Sequence, residues 1–248
     1  MSALEILAVL TAGFAAGGVN AIVGSGSLIT FPALLAVGYS AVTANVSNSV
    51  GLVFGNISAA YGYRRELKGQ RRRCLTMAAG TALGAITGAT LLLALPSSVF
   101  DAVVPVLILL ACALMVLRPK PKPVHGGGLS RHRIAALIGL AYLVAIYGAY
   151  FGAAQGVILL AGLRLLIPED LQRLNGLKNV LVGVANGVAA LQFVIFADVA
   201  WGAAALVAVG SIAGAQVGAK YGRRIPDERL RWTVVTVGTV VAVILFIK

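Results

Sequence analysis

The stretch 20-NAIVGSGSLITFPALLAVGY-39, followed at once by 43-TANVSNSVGLVFGN-56, gathers glycines, serines, a proline and asparagines inside an otherwise apolar chain. Such residues weaken helices or compete for backbone hydrogen bonds, so their concentration in one place calls for a physical reason. The stretch has a counterpart. A gap-free shift of 130 residues lays Gly18 on Gly148, Gly26 on Gly156, Leu35 on Leu165, Asn45 on Asn175, Val50 on Val180, Asn56 on Asn186, and Ala59 and Ala60 on Ala189 and Ala190. Apolar coincidences are common in hydrophobic chains, but asparagines spaced eleven apart in both copies are not. The sequence predicts an internal repeat.

The rest of the chain is membrane-like. Of 248 residues, 59% are hydrophobic and 11% charged, with a mean hydropathy of +0.94, against roughly 25% charged residues in a soluble domain. Runs such as Leu75–Leu95, Asp101–Leu117, Ile134–Phe151, Leu171–Phe193, Trp201–Ala219 and Trp232–Ile247 are long enough to cross, or nearly cross, a hydrocarbon layer of about 30 Å. The expected fold class is an all-α polytopic membrane protein. No cleaved signal peptide is expected, since the first apolar run lacks a basic leader. The net charge of +12 comes from 20 Lys and Arg against 8 Asp and Glu. These cations sit in short loops such as 63-YRRELKGQRRR-73 without aromatic interleaving, which reads as topology anchoring and not as nucleic-acid binding. Cys74 and Cys112 lie in separate spans and suggest neither a disulfide framework nor a metal site.

The loop charges also give direction. Loops around Arg64–Arg73, Arg118–Arg133 and Lys220–Arg231 are basic, whereas Pro96–Asp101 and Phe196–Ala200 contain no Lys or Arg. The first three are expected inside and the other two outside. The span near Ala41–Tyr63 then ends inside, and its repeat partner near Leu171–Phe193 ends outside. Matching segments run in opposite directions, the signature of inverted-topology repeats. The expected organisation is an N-terminal repeat over 1–117, a cytoplasmic connector over 118–133 and a C-terminal repeat over 134–248. About eight to ten membrane segments are expected, including short broken or re-entrant helices near Ser25–Val37 and Ala154–Ile167.

Paired, glycine-interrupted short segments in corresponding positions of two halves point to a midplane binding site of a secondary transporter. In 23-VGSGS-27, Ser25 or Ser27 could cap a new helix while Gly24 and Gly26 allow unusual dihedrals or close approach. In the second copy 150-YFGAAQG-156, with Tyr150, Gln155 and Gly156, takes the same place. Two helix N-termini entering from opposite sides would aim free amides and positive dipole ends at one point, which suits an anion. Taken singly, each glycine is as readily explained by close helix packing. The run lacks the strand and the Gly-Lys-Ser/Thr of a nucleotide loop.

On the next helix of each copy a polar stripe recurs at helical spacing: Asn45, Asn48, Ser49, Leu52 and Asn56, then Asn175, Lys178, Asn179, Val182 and Asn186. Lys178 follows Glu169 and Asp170 by eight or nine residues, roughly 12 Å along a helix. It has either a functional or strongly paired role, or a stem that snorkels to the interface. Asn20 flanks the first break. Arg164 is expected to reach headgroups or Glu169, and Gln192 and Gln216 to bridge helices.

The segments 17-GGVNAIVGSGSLITFPALLAVG-38, 44-ANVSNSVGLVFGNISAAYGYRREL-67, 148-GAYFGAAQGVILLAGL-163 and 174-LNGLKNVLVGVANGVAAL-191 resemble the TauE/SafE sulfite exporter family, also called the toluene sulfonate uptake permeases. The resemblance implies a multi-pass permease of a bacterial or archaeal plasma membrane that moves small, often sulfur-containing anions. It implies a substrate-facing role for Asn20, Gly24, Ser25, Gly26, Asn45, Asn48, Ser49, Tyr150, Gln155, Gly156, Asn175, Lys178 and Asn179. The expected mechanism is alternating access; the alternative is a gated anion channel. The expected partners are a small anion, membrane lipid and an unidentified coupling ion or exchanged solute, in a monomer or homodimer, with no enzymatic activity, cofactor or metal.

Overall fold

The computed structural model describes residues 1–117 and 131–221, together with positions 232, 235, 236, 239, 240 and 243. Residues 118–130 of the expected connector, and ten of the sixteen positions of the segment expected at Trp232–Ile247, lie outside the described residues. All regular structure among the described residues is helical: α1 (Ala3–Ile22), α2 (Ser27–Ala36), α3 (Ala41–Gly62), α4 (Arg71–Ala94), α5 (Ser97–Leu117), α6 (Arg131–Tyr150), α7 (Gln155–Leu166), α8 (Leu171–Phe196) and α9 (Trp201–Tyr221). Arg131–Arg133, expected in the connector, form the first turn of α6.

Five helices, α1, α4, α6, α8 and α9, are long and apolar enough to cross a membrane. The chain is a multi-pass membrane protein. Helix α3 has 22 residues, so it matches the spanning helices in length, but its asparagines, serines and glycines lower its hydropathy. The two short helices are present, with 10 residues in α2 and 12 in α7, each well below an ordinary span.

Helix contacts pair up under one exchange. Helix α1 packs chiefly on α9, and α4 on α6; α3 lies on α9 as α8 lies on α4; α1–α2 matches α6–α7, and α2–α3 matches α7–α8. Helices α3 and α8, which carry the two polar stripes, pack on each other.

Lipid tails are as apolar as leucine, so helices in a bilayer associate through close packing and hydrogen bonds instead of hydrophobic burial. Both principal pairs achieve this with glycines four residues apart. Gly80, Gly84 and Gly88 of α4 lie against Ile138, Tyr142 and Ile146 of α6, where an added Cβ would stand 3.0, 2.2 and 2.1 Å from its nearest atom. Gly210, Gly214 and Gly218 of α9 lie against the backbone of Leu10, Phe14 and Gly18 of α1, at 2.4, 1.8 and 2.6 Å. The 130-residue shift lays these two glycine triplets on one another. Helix α9 is tied to α3 as well: Gln216 Nε2 donates to Ser58 O and Ser58 Oγ at 2.7 and 2.8 Å, and Ser58 Oγ donates to Ile212 O at 2.9 Å. Gln216 thus makes the expected interhelical bridge.

At the arginine-rich end, Glu169 in the α7–α8 loop accepts from Arg73 of α4 at 2.7 Å and from Arg173 of α8 at 3.0 Å. These two arginines take the carboxylate, because α4 packs on α8 and brings Arg73 beside the loop, which leaves headgroups as the other partner expected for Arg164. The hydrogen bond from Arg73 holds the Glu169 carboxyl below its ordinary value of 4.5.

Two outcomes follow from this packing. Gly214→Val should lower thermal stability in detergent by about 1–3 kcal/mol or more, because it drives a side chain into the Phe14 carbonyl. Gly187→Ala, where nothing lies within 4 Å, should be neutral or slightly stabilising; unfolding monitored by size-exclusion chromatography separates the two. A depressed carboxyl stabilises the fold above its ordinary value, and that contribution disappears as pH falls through the lowered one. Glu169→Gln should therefore remove part of the loss of melting temperature between neutral and acidic pH.

Candidate functional site

Each short helix begins just after a break. Helix α1 ends at Ile22, the chain turns at Gly24 with φ +88°, and α2 starts at Ser27. Helix α6 ends at Tyr150, and the chain turns through Gly152 at φ +79° and Ala154 at φ +56° before α7 starts at Gln155. Ala154 occupies the left-handed region that non-glycine residues avoid, and surrounding contacts must hold it there. One such contact is the Tyr147 hydroxyl, which donates to Ala153 O at 2.6 Å.

The two breaks touch. Gly156 N–H, in the first turn of α7, donates to Gly24 O at 2.9 Å. A Cβ at Gly24 would stand 2.5 Å from Gly156 Cα, and one at Gly156 would stand 2.5 Å from Gly24 Cα. Backbones this close exclude any other residue at either position. Phe31 of α2 meets Phe151 edge-on at 5.3 Å, and Phe100 of α5 lies 6.0 Å from Phe151 and 5.7 Å from Tyr150, so aromatic rings flank the contact.

A helix that stops inside a membrane leaves carbonyls without partners. Side chains of the polar stripes supply the donors, each to the helix of the other half. Lys178 of α8 is fully buried, and its Nζ donates to Asn20 O at 3.0 Å and Ala21 O at 3.4 Å, while Asn179 Nδ2 donates to Ala21 O at 3.1 Å. Asn45 of α3 donates through Nδ2 to Tyr150 O at 2.9 Å. Lys178 therefore stands at the negative end of the α1 dipole, which compensates its charge. It does not snorkel.

Most of the residues picked out in the sequence meet here, though in unequal ways. Asn20 donates through Nδ2 to Asn56 Oδ1 at 2.7 Å and receives Gly26 N–H at 3.4 Å. This corrects the expected serine cap. The residue preceding α2 is Gly26, with no side-chain cap, because the turn at Gly24 carries the chain back toward Asn20. Asn48 accepts from the Thr30 hydroxyl. Gln155 is buried against Gly148, where a Cβ would stand 2.1 Å from its Cδ. Tyr150 offers its carbonyl to Asn45 and its ring to Phe100. Ser49 and Asn175 are buried on their stripes. Ser25 Oγ, Asn45 Oδ1, Asn175 Oδ1 and Asn56 Nδ2 are buried without a hydrogen-bond partner among the described residues. Buried polar groups are normally satisfied, so these four atoms keep hydrogen-bonding capacity that the described residues leave unused.

Thr30 and the three phenylalanines had no signal in the sequence. The repeat pairs Thr30 with Leu160, and an aromatic residue in a membrane helix is unremarkable in isolation.

A family model described as "Sulfite exporter TauE/SafE" matches residues 9–245. The chain belongs to this family. A member from Sinorhizobium sp., "Probable membrane transporter protein ORF9", is 30% identical over 224 residues, covering 88% of this chain and 84% of the relative. "Probable membrane transporter protein YfcA" of Escherichia coli K12 is 27% identical over 234 residues, with 92% and 84% covered. A "Probable membrane transporter protein" of Haemophilus influenzae is 27% identical over 221 residues, with 88% and 85% covered. No solved structure matches the chain at a significant level. The TauE/SafE match spans both breaks and both stripes.

Replacing Lys178 by methionine keeps the length of the side chain but leaves the α1 carbonyls without their charged donor. Lys178→Met should cost about 1.5–3 kcal/mol of stability, in the range of a charge-assisted hydrogen bond. Thermal denaturation in detergent measures it, and a melting temperature equal to that of the parent would refute the capping role.

Proposed function

We propose that this member of the TauE/SafE family is a secondary permease for a small anion, sulfite or an organosulfonate, in a bacterial or archaeal plasma membrane. It works by alternating access between two inverted-topology repeats, with the substrate site where the two breaks meet. The observation that carries the proposal is the Gly24–Gly156 contact between two short helices, whose flanking long helices are capped by Lys178 and Asn45 from opposite halves. The N-terminal ends of α2 and α7 direct positive dipole ends toward this contact, and Lys178 adds a fixed positive charge, a combination that favours an anion. Ser25 Oγ supplies a hydroxyl donor that no group among the described residues engages. The helix contacts pair under exchange of the repeats, α1–α9 with α4–α6, each joining one half to the other, which supports two equivalent arrangements about a shared central site.

In this reading the Gly24–Gly156 contact seals the path, and transport requires it to part. A continuously open anion channel would need a gap there.

Tracer flux in proteoliposomes with sulfite, sulfate, thiosulfate, sulfoacetate, taurine and simple carboxylates tests the proposal. Saturable counterflow of at least one small anion is expected. Ser25→Ala should raise its KM about tenfold, as loss of one hydrogen bond to a charged ligand implies, with an unchanged melting temperature. Absence of anion flux under any gradient would defeat the permease reading, and large single-channel currents without counterflow would replace it with a channel.

A further inference from the structure

Away from the breaks, the seam between α4 and α6 opens at its arginine-rich end into a cavity of about 560 Å³. Its polar wall is Arg72, Arg73 and Thr76 of α4; its apolar wall is Met77 of α4 with Ile134 and Leu137 of α6. Arg73 shares its guanidinium with Glu169. Arg72 is exposed and makes no ion pair or side-chain hydrogen bond among the described residues. Met77 and Leu137 are buried and form an apolar floor. The segment leading into α6, 118-RPKPKPVHGGGLS-130, contains basic residues and no Asp or Glu, so it cannot supply a counter-charge to the two arginines.

We infer that this cavity is a binding site for an anionic phospholipid, its phosphate on Arg72 and Arg73 beside the Thr76 hydroxyl and its first acyl carbons against Met77, Ile134 and Leu137. The ligand chemistry is a phosphodiester of net negative charge, with acyl tails and no cationic headgroup to compete with the arginines for the phosphate. A free phosphate would satisfy the arginines and leave the apolar wall uncovered, whereas a lipid covers both. The position agrees with that division: α4 and α6 are membrane-spanning helices, and the cavity lies at their basic ends, where basic pockets between helices meet headgroups. The lipid would bridge helices of the two halves at one end of the glycine seam formed by Gly80, Gly84 and Gly88. The inference does not depend on what the protein transports.

Detergent-purified protein titrated with phosphatidylglycerol, phosphatidylcholine or inorganic phosphate, read by thermal shift and by native mass spectrometry, tests the site. Phosphatidylglycerol should stabilise the protein and remain bound at one copy per chain, with the other two additives inert. Arg72→Gln should weaken phosphatidylglycerol about fivefold, the equivalent of about 1 kcal/mol per interfacial cation. Ile134→Glu, which places a carboxylate on the cavity wall, should weaken it further. Arg65→Gln removes a charge from the turn before α4, outside the cavity lining, and should leave binding unchanged. Equal stabilisation by phosphatidylcholine, equal stabilisation by phosphate alone, or parental affinity in both Arg72→Gln and Ile134→Glu would each overturn the site.

Discussion

Two peptide backbones in contact at Gly24 and Gly156 set the terms for the rest of the molecule. A hydrogen bond between an α7 amide and the carbonyl of Gly24 needs both chains to approach without side chains, and both must have left helical geometry to do so. That geometry frees carbonyls at the ends of α1 and α6 in surroundings with little water to satisfy them. The asparagines and the lysine of α3 and α8 answer that demand, which explains why a chain with 11% charged residues keeps a fully buried ammonium. Break and stripe are therefore one device: the break creates unsatisfied carbonyls, and the stripe of the opposite half satisfies them.

The same exchange between halves governs the scaffold. Helix α4 leans on α6, and α9 on α1, each through three glycines that bring backbones within reach of weak but numerous contacts. Polar residues along α3 and α8 face the interior because those helices pack on each other and on α9 and α4, so the asparagines stay out of lipid. Membrane helices are often read as apolar rods, but here the two rods that carry the asparagine stripes pack on each other.

Much of this was legible in the sequence for physical reasons. Long apolar runs fixed the membrane class and, to within a few residues, helices such as α8 and α9, while the repeat and the loop charges located α3. The 130-residue shift, anchored on asparagines, located both breaks and both stripes before any coordinates. It left two things obscure. Serine is a good cap by itself, so 23-VGSGS-27 read as a serine-capped helix start, but the left-handed turn that Gly24 permits brings Gly26 N–H to Asn20, six residues upstream. Lys178 could be seen to be deep, yet its acceptors, the carbonyls of Asn20 and Ala21, lie 158 and 157 positions away, and main-chain groups carry no sequence signature. The glycine triplets at 80, 84, 88 and 210, 214, 218 were in plain view under the same shift, hidden only by the frequency of glycine in membrane helices.

The pairing of α9 with α1 bears on how the chain is made. Residues 3–22 emerge from the ribosome well before their main helical partner at 201–221. At synthesis rates of about 5–20 residues per second, α1 waits roughly 10–40 s in the bilayer with its glycine face uncovered. Helix α4 waits a shorter time for α6, so the middle seam closes before the outer one. A nascent chain released early would carry an unpaired α1, a ready mark of incompleteness for membrane quality control.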